Sequence, residues 1–405
     1  ITTVARRPWI HCKHGGEASG AAAVQHDPQS DRSGDCLLWD GIQVPRLIWG
    51  KVLWCTLLVV VLALFAHSLF DLCKKLHVFK EVAPIEPGNC HLMEEIEYGS
   101  EDISVLPGGL AFISSGLKYP LIPDLAPGQP GRIFLVNLNN PTLRAVELRI
   151  SHGFEVKSFN PHGLSTFIQK GGAVLLFVVN HPLHTTTVEI FKFEEEQLSL
   201  THLKTIQHEL LNNVNDIIAV GSQSFYATND HYYSNFYLKI FEFLFGYSWG
   251  SVVYYSPTEV KEVAKGLSFP NGLDISLDGK HLFVAETIAS MINVLEINPN
   301  HSLTQKKSLA LRANPDNVNV DPKTGDIWTA GCLNAWKLQP YNPEDPPGSE
   351  VIKIENIFSK DPRVIQVYVN NGSVLQGASV ATVYNDKLLI GTIYHKALYC
   401  EFSSL

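Results

Sequence analysis

Alternation of apolar and polar residues runs through most of the chain after residue 80, in short segments separated by turns. The stretch PNGLDISLDGKHLFVAE, residues 270–286, holds two such segments around an Asp-Gly turn, and PDNVNVDPKTGDIWTAG, residues 315–331, repeats the arrangement. Each copy begins with proline and a short amide or acid, and continues as an alternating strand, a turn with glycine and a second strand. The repetition predicts a structure built from similar strand units.

The same signature occurs six times in the sequence. Further copies begin at Pro107, Pro161, Val214 and Leu375, with additional strand-like runs such as GRIFLVNL between them. The positions that head the copies are Gly108, His162, Asn215, Asn271, Asp316 and Gln376, at spacings of 54, 53, 56, 45 and 60 residues. A period of about fifty residues with about four strands per unit is typical of β-propellers. We therefore predict an all-β fold, a six-bladed propeller. The competing all-β fold, a pair of β-sandwiches, would not require a head residue at a constant interval.

The first strand of each propeller blade lines the central channel, so the head residues are expected to converge at one mouth of that channel. They include His162, Asn215, Asp216, Asn271, Asp316 and Asn317, and the upstream segment GSEDISVLPGG adds Glu101 and Asp102. Carboxylate and amide oxygens without thiolates suit Ca²⁺ better than softer metals. The carboxylates would also repel one another unless a cation offset their charge. The alternative is that Asn and Asp simply begin strands at turns.

Two histidines, His162 and His181, lie at the two ends of one predicted hairpin, 19 residues apart. Because a hairpin brings its end back beside its start, we expect the two imidazoles to be neighbours. Next to a metal-bound carbonyl group, such a pair could deprotonate a water molecule, with one ring tuning the other. The alternative is a structural role for each histidine at a strand end.

One segment departs from the strand pattern. NFYLKIFEFLFGYSW, residues 235–249, is rich in aromatic side chains, and only Lys239 and Glu242 are charged. It predicts a short helix over the channel mouth, serving either as a buried lid or as an interfacial helix that contacts lipid or lipoprotein.

The N-terminal region has a different composition. Residues 1–46 are rich in small and polar residues and are expected to be disordered. Val52–Phe70 contains no Asp, Glu, Lys or Arg, and its length suits a signal-peptide core or a marginal membrane span. Since no small-residue cleavage site follows, we favour an uncleaved signal anchor. We therefore divide the chain into an extension at 1–49, a hydrophobic leader at 50–75 and the propeller at 80–405.

Charge and cysteine content narrow the picture. The net charge of −9 is spread along the chain without a basic block, which argues against a nucleic-acid partner. Seven cysteines include no CxxC pair, so a zinc site is not indicated. Cys90 and Cys400 bracket the predicted propeller, and a disulfide between them would close a very long loop; two unrelated thiols are the alternative. Sequons at Asn300 and Asn371 agree with passage through the secretory pathway.

Several long motifs resemble the paraoxonase (arylesterase and lactonase) family. They are GSEDISVLPGGLAFISSGLKYP, SFNPHGLSTF, VVNHP, YATNDHYY, VVYYSPTEVKEVAKG, VLQGASVA and LLIGTIYHKALYCE. The likeness covers residues 80–402. It implies a six-bladed propeller with two Ca²⁺ in the central tunnel, and a hydrolase of lactones, aryl esters and, in some members, organophosphates.

The resemblance also assigns residues. It places a catalytic Ca²⁺ on Glu101, Asn215, Asn271, Asp316 and Asn317, and a structural Ca²⁺ on Asp102, Asp216 and the backbone carbonyl of Leu164. It matches His162 and His181 to a catalytic dyad, with Glu101 as a second candidate base, and Cys90 and Cys400 to a disulfide. It puts Leu117, Lys118, Tyr119 and Phe269 near the substrate pocket.

The sequence departs from the family pattern at two places. Trp49 stands where family members begin with Met, so residues 1–49 look foreign to the family. In the fifth blade TAGCLNAW replaces Gly-Cys-His-Pro-Asn, and Cys332 stands one place after the family's free cysteine, which puts substrate preference near that wall in doubt.

The expected partners are a small lactone or ester, a membrane or lipoprotein surface, and another copy of the chain. The expected location is extracellular or membrane-anchored on the lumenal side. The rival function is a non-catalytic propeller, stabilised by calcium, that binds a lipid or protein partner.

Overall fold

The computed structural model describes residues 46–119, 124–338 and 341–401. The chain divides into two compact units, one up to Leu58 and the other from Val59 onward. Most of the predicted extension at residues 1–49, namely residues 1–45, lies outside the described residues.

The longest helix, α1, spans Arg46–Lys75. From Trp49 to Lys75 it is long and apolar enough to cross a membrane, and no other helix in the described ranges meets that criterion. At 1.5 Å per residue this segment is about 40 Å long, more than the roughly 30 Å of a bilayer core. A signal sequence has the same character. The predicted hydrophobic helix is therefore confirmed.

After α1, the strands form six sheets. In most of them, strands that are consecutive in sequence are also neighbours in the sheet. The first blade contains β2 (Ile103–Val105), β3 (Leu110–Ser115), β4 (Arg132–Asn137) and β5 (Ala145–Glu147). The second contains β6 (Arg149–Ile150), β7 (Pro161–Ile168), β8 (Val174–Asn180), β9 (Thr187–Glu194) and β10 (Ser199–Ile206). The third contains β11 (Val214–Ala219), β12 (Phe225–Asn229), β13 (Gly250–Ser256) and β14 (Glu259–Leu267).

The remaining three blades have four strands each. The fourth contains β15 (Pro270–Ile275), β16 (His281–Glu286), β17 (Met291–Ile297) and β18 (Leu303–Ala310). The fifth contains β19 (Val318–Val320), β20 (Ile327–Leu333), β21 (Gly348–Glu355) and β22 (Arg363–Asn370). The sixth joins β23 (Ala378–Tyr384), β24 (Lys387–Thr392) and β25 (Ala397–Glu401) to the N-terminal strand β1 (Cys90–Met93). Helix α2 (Phe236–Phe245) and short 3₁₀ helices at Val156–Ser158, Pro182–His184 and Ala335–Leu338 connect strands.

The blades close into a ring through their first strands. These strands, β2, β7, β11, β15, β19 and β23, each contact the next, and β23 contacts β2. The structure is thus a six-bladed β-propeller, as the repeat predicts.

A disulfide closes the ring covalently. In the sixth blade, β1 pairs with β25 so that Cys90 lies opposite Cys400. These two residues form a disulfide across a sequence separation of 310 residues. The predicted pairing is confirmed.

The hydrophobic core lies between adjacent blades. Phe112 of the first blade meets Phe193 of the second edge-to-face, with ring centroids 5.0 Å apart. Phe177 of the second blade meets Phe225 of the third in the same manner at 6.2 Å. All four rings are buried, so each blade hides one face of its neighbour, which no blade could do alone.

A β-bulge lies at the start of several inner strands. The register with the second strand shifts between Pro161 and Leu164, between Val214 and Ile217, and between Pro270 and Leu273. A bulge leaves its extra residue outside the ladder and re-aims the side chains. The head residues His162, Asn215 and Asn271 lie within these bulges.

Two glycines that follow the heads allow the inner strands to approach closely. A Cβ atom at Gly163 would lie 2.3 Å from Asp216 Oδ1, and one at Gly272 would lie 2.3 Å from the Cα of Asn317. Any side chain there would collide with the next blade. The motifs PHGL and PNGL therefore combine a polar head with a glycine that admits the neighbouring strand.

Two of the predicted head positions do not line either cavity on the axis of the ring. Gly108 lies in the turn between β2 and β3, so the first blade begins instead at Glu101 and Asp102, just before β2. The register was misplaced because β2 has only three residues and shows little alternation. Gln376 precedes β23, and its Oε1 accepts a hydrogen bond from the Tyr341 hydroxyl at 2.7 Å, outside the two axial cavities described below.

Replacing Cys90 with serine is expected to lower the free energy of unfolding by about 2–5 kcal/mol, because the open chain regains the entropy of a very long loop. Thermal and denaturant unfolding without reductant would measure the loss. Cys55→Ser, at an exposed free cysteine of α1, is the matched control. Equal stability of the Cys90 and Cys55 variants would contradict the stabilising role of the bridge.

Candidate active site

Two cavities lie on the axis of the ring, one at each end of the inner strands. The first, of about 280 Å³, is lined by the heads of the inner strands and by α2, and we call it the head cavity. The second, of about 430 Å³, is lined by the opposite ends of the inner strands and the turns that follow them, and we call it the tail cavity.

Consecutive residues serve different cavities. Glu101 lines the head cavity, whereas Asp102 lines the tail cavity. Asn215 and Asp216 divide in the same way, and Asn215 lies in the bulge at the start of β11. Each of these dipeptides therefore contributes one oxygen group to each end of the axis.

We call the polar residues at the strand heads the head cluster: Glu101, Asn215, Asn271, Asp316 and Asn317. Four of their side-chain oxygens are buried without any hydrogen-bond donor among the residues the structure describes. They are Glu101 Oε2 and the Oδ1 atoms of Asn215, Asn271 and Asn317. The amide nitrogen of Asn317 donates to Glu101 Oε1 at 3.0 Å, while the amide oxygen of Asn317 receives no hydrogen bond from the described residues. Leaving a buried acceptor unpaired costs about 1–3 kcal/mol. Several such acceptors together have the character of a site for a hard cation.

The carboxyl groups on the axis carry perturbed proton affinities. Burial, and then the charge of Glu101, raise the pKa of Asp102 to about 7 and hold that of Asp316 well above its usual range. Burial and the charge of Asp102 raise the pKa of Asp216 in the same direction. These shifts are the electrostatic cost of placing several acids together out of water.

The donor set differs from sites that rely on acids and histidines alone. Within the described ranges, no group of three His, Cys, Asp or Glu side chains is arranged to hold a metal ion. The head cluster contains two carboxylates, Glu101 and Asp316, so the amide oxygens of Asn215, Asn271 and Asn317 must complete any coordination shell. Amide oxygens are ordinary ligands for Ca²⁺.

The tail cavity has its own carboxylates. Asp102 accepts the backbone N–H of Leu164 at 2.7 Å, and Asp216 accepts that of Leu273 at 2.9 Å, in each case from the following blade. These bonds fix both carboxylates and bring the backbone of Leu164 beside Asp102. Asp102, Asp216 and Leu164 therefore line the same cavity.

Asp274 repeats this arrangement one blade further on. Its two oxygens accept the N–H groups of Ile275 and Val320, both at 2.7 Å. The side chain is only partly accessible, and desolvation raises its pKa to about 7. Asp274 is not among the site residues predicted from the sequence, although it lies three positions after the head in PNGLDIS.

The two predicted histidines are in direct contact. His162 Nδ1 lies 3.0 Å from His181 Nε2. The Thr186 hydroxyl lies 3.3 Å from His181 Nδ1 and 3.1 Å from the carbonyl oxygen of Asn212. Because that carbonyl can only accept, both contacts are hydrogen bonds only if Thr186 donates to Asn212 and accepts from His181 Nδ1–H.

That proton assignment propagates to the head cavity. His181 Nε2 is then an acceptor, so His162 donates to it through Nδ1–H, and His162 Nε2 keeps a lone pair 3.6 Å from Glu101 Oε1. Burial, and then the neighbouring ring of His162, hold the pKa of His181 well below its usual range. A neutral His181 fits the acceptor role.

Three of the four predicted pocket residues line the head cavity: Leu117, Tyr119 and Phe269. Phe269 holds a positive φ of 58°, an unusual conformation for an aromatic residue. Lys118 is placed differently, because successive residues of an extended segment face opposite ways. Its Nζ donates to the carbonyl of Gln129 at 2.7 Å and does not reach the cavity.

Helix α2 covers the head cavity as a lid. Its charged side chains are buried and several of its aromatic side chains are exposed, which is the reverse of the usual pattern. The Asn235 side chain caps its first turn, and Gly246 ends it in the left-handed conformation. Its two charged residues, Lys239 and Glu242, are the buried ones, at 7% and 3% exposure. Phe236, Tyr237, Leu238, Phe241 and Phe245 are exposed. The predicted helix exists, and its outer face is aromatic.

The head cavity is also lined by Asp230, His231 and Lys239, for which the sequence pattern predicts no role. The Tyr119 hydroxyl donates to Asp230 Oδ2 at 2.8 Å, and His231 Nδ1 lies 2.8 Å from Asp230 Oδ1. The signals were an Asp-His pair directly after a buried strand and a lone lysine in an aromatic helix. Neither shows its orientation in the sequence.

The segment TAGCLNAW contributes to the cavity wall. Ala335 and Trp336, in the 3₁₀ helix after β20, line the head cavity. The Cys332 thiol is buried, and burial followed by the charge of Asp316 raises its pKa. The departure in sequence thus falls at the wall where substrate preference was expected to differ. The sequon residues Asn300 and Asn371 are both exposed.

Comparisons with known proteins show the family to which the chain belongs. The Arylesterase family model matches residues 81–402. Human serum paraoxonase/lactonase 3 is 55% identical over 353 residues, covering 87% of this chain and 99% of that protein. Human serum paraoxonase/arylesterase 2 is 53% identical over 352 residues with the same coverage. The chain therefore belongs to the paraoxonase (arylesterase) family of ester hydrolases.

A solved structure of a luciferin-regenerating enzyme shares the fold. It aligns with a TM-score of 0.50 at 10% identity, covering 78% of this chain and 95% of that one. At this level of identity the likeness concerns the propeller alone.

Replacing Asp274 with asparagine is expected to flatten the pH dependence of stability. A folded-state pKa of about 7, above the unfolded value of 3.8, gives a contribution that is complete below pH 4 and lost as the pH rises through 7. The free energy of unfolding of the unmodified protein should therefore fall by about 2 kcal/mol more than that of Asp274→Asn between pH 5 and 8.

Urea unfolding at fixed calcium concentration across this range measures the difference. Asp386→Asn, at an exposed aspartate in the turn after β23, is the control. Parallel curves for the unmodified protein and Asp274→Asn would show that Asp274 is ionised throughout.

Proposed function

We propose that this chain is a calcium-dependent hydrolase of lactones and aryl esters. The observation that carries the proposal is the set of unpaired oxygens on Glu101, Asn215, Asn271 and Asn317, buried at the floor of an apolar-walled cavity that also holds His162. The relatives named above are designated lactonase and arylesterase, which supports these two classes of substrate.

Five residues would hold the calcium ion at the head cavity: Glu101, Asn215, Asn271, Asp316 and Asn317. The donor chemistry fits, because calcium prefers oxygen ligands in flexible geometry and the unpaired oxygens lack any other partner within the described parts of the chain. When bound there, calcium would polarise the ester carbonyl and offset negative charge that develops on its oxygen.

A second calcium ion would be held in the tail cavity by Asp102, Asp216 and the carbonyl of Leu164. Because the two carboxylates bond the backbone of the next blade, this ion would join the first four blades at the axis. Its expected role is structural.

His162 is the proposed base. Its Nε2 lone pair faces the head cavity, and its Nδ1–H is held by His181, which can accept the growing positive charge through that hydrogen bond. Glu101, whose Oε1 lies 3.6 Å from the ring, is the second candidate base. The cavity wall of Leu117, Phe243 and Phe269 would bind the apolar part of the substrate and exclude water from it.

The exposed aromatic face of α2 supports a surface role. The ring of Phe241 lies 4.6 Å from that of Phe245 and 5.7 Å from that of Tyr247, both in tilted contact. Tyr247 stacks on Trp249 at 4.2 Å. An aromatic patch of this kind, together with the hydrophobic helix α1, favours association with a membrane or lipoprotein on the secretory or extracellular side. The rival proposal, a propeller that binds such a surface without catalysis, would leave the free nitrogen of His162 unused.

Asn271→Ala is expected to abolish ester hydrolysis and to lower the calcium content from two ions towards one per chain, because it removes one unpaired oxygen of the head cluster. Hydrolysis assays, calcium content after gel filtration and calcium-dependent melting temperature measure this. Asn140→Ala, at an exposed asparagine, is the control. Full activity in excess chelator would refute the role of the metal.

His162→Gln is expected to lower kcat for lactones by about 10²–10⁴-fold, the usual contribution of general base catalysis, while calcium content stays unchanged. Steady-state kinetics with metal analysis would check both. His152→Gln, at an exposed histidine, should behave as the unmodified protein. If His162→Gln keeps its rate, Glu101 becomes the leading candidate for the base.

A further inference from the structure

A second histidine lines the head cavity and takes no part in the chemistry described so far. His231 is 4% exposed and lines the cavity wall. Its Nε2 atom is buried and bonds to no group in the described residues. A buried imidazole nitrogen without a partner, on a residue that lines a substrate cavity, is available to the substrate itself.

Asp230 fixes the ring of His231. A carboxylate can only accept hydrogen bonds, so the 2.8 Å contact requires a proton on His231 Nδ1 and leaves Nε2 as the unbonded nitrogen of the ring. Tyr119 donates to the other oxygen of Asp230. Burial alone would raise the pKa of Asp230, but His231, Lys239 and Tyr119 bring it below its usual range, so the carboxylate is ionised. The ring of His231 therefore has an ionised partner at Nδ1.

The residues around His231 and Asp230 keep this pair close to the pair of His162 and His181, but separate from it. Phe269 packs edge-to-face on the His231 ring at 4.7 Å, and Asn213 donates to the backbone carbonyl of His231 at 3.0 Å. The ring of Tyr119 lies 5.0 Å from the ring of His162, while its hydroxyl bonds Asp230. Tyr119 therefore lies between His162 and the pair of Asp230 and His231.

Ester hydrolysis needs both a base and an acid when the leaving group is poor. An alkoxide must be protonated as it departs, whereas a phenoxide is stable enough to leave unprotonated. The proposed function supplies the base through His162 but names no acid. Lys239 also carries protons in this cavity, but its Nζ is directed at Tyr119: it lies 4.9 Å from the ring centroid and donates to the hydroxyl at 3.4 Å.

We propose that His231, oriented by Asp230, is the general acid that protonates the alkoxide leaving group of aliphatic lactones and esters. The inference rests on the proposed function, since it concerns the same cavity and reaction. As the tetrahedral carbon collapses, its bond to the ring oxygen breaks and the electron pair goes to that oxygen. The proton on His231 Nε2 transfers to the same oxygen. His231 then regains a proton from solvent, and the proton taken from the attacking water is released to solvent.

The test compares two six-membered lactones that differ in leaving group. δ-Valerolactone releases an alkoxide and dihydrocoumarin releases a phenoxide. His231→Gln is expected to lower kcat for δ-valerolactone about 100-fold and kcat for dihydrocoumarin by less than about fivefold, because only the first needs the acid. Asp230→Asn should show the same selectivity to a smaller extent, since the ring loses its ionised partner.

His202→Gln is the matched control, because His202 also bonds a buried carboxylate, Glu189, at 2.9 Å but belongs to the outer strand β10, away from the cavity. It should leave the ratio of the two rates unchanged. Calcium content and melting temperature of every variant show whether it folds and keeps its metal. A folded His231→Gln variant that loses both activities equally, or neither, overturns the proposal.

The outcome is separable from that of the proposed function. Retention of activity in chelator or in His162→Gln would refute the metal or the base, while the ratio of the two rates in His231→Gln would still report on the acid. A rate for δ-valerolactone that survives in His231→Gln would refute the acid and leave the calcium site and His162 in place.

Discussion

Four carboxyl groups lie buried on the axis of this ring, and none forms an ion pair with a lysine or arginine in the part of the chain that the structure describes. Glu101, Asp102, Asp216 and Asp316 come from three different blades and meet only because the inner strands converge. Bringing ionised groups together away from water opposes folding, and protonation or a cation is the available remedy. The fold thus places unfavourable charge repulsion at its centre, and this repulsion favours the binding of a cation or of protons there.

The backbone at the head of each inner strand makes this arrangement possible. A regular strand would turn alternate residues to opposite faces, but the bulges at Asn215 and Asn271 aim polar groups along the axis. Gly163 and Gly272 let the next strand approach closely enough for its carboxylate and amide groups to take part. Head, bulge and glycine therefore act together in the second and fourth blades.

The repeat predicted the number of blades and the identity of most axial residues, because a closed ring requires similar residues at similar intervals. It misplaced the first blade, since a three-residue strand such as β2 has too few positions to show alternation. It also could not show that Lys239 and Glu242 face inward. That choice depends on Asp230, Tyr119 and the N–H groups of Tyr232 and Tyr233, which meet α2 only in the folded chain.

Closure of the sixth blade by the N-terminal strand has a consequence for synthesis on the ribosome. Cys90 and β1 emerge 310 residues before Cys400, their partner in the last strand. Throughout that interval β1 is an unpaired edge, and the axis lacks its complete set of oxygens, because the fifth blade supplies Asp316 and Asn317 late in translation. The cluster of axial oxygens is therefore assembled among the last steps of folding, and a nascent chain stopped before its final strand would carry a free thiol and an open ring.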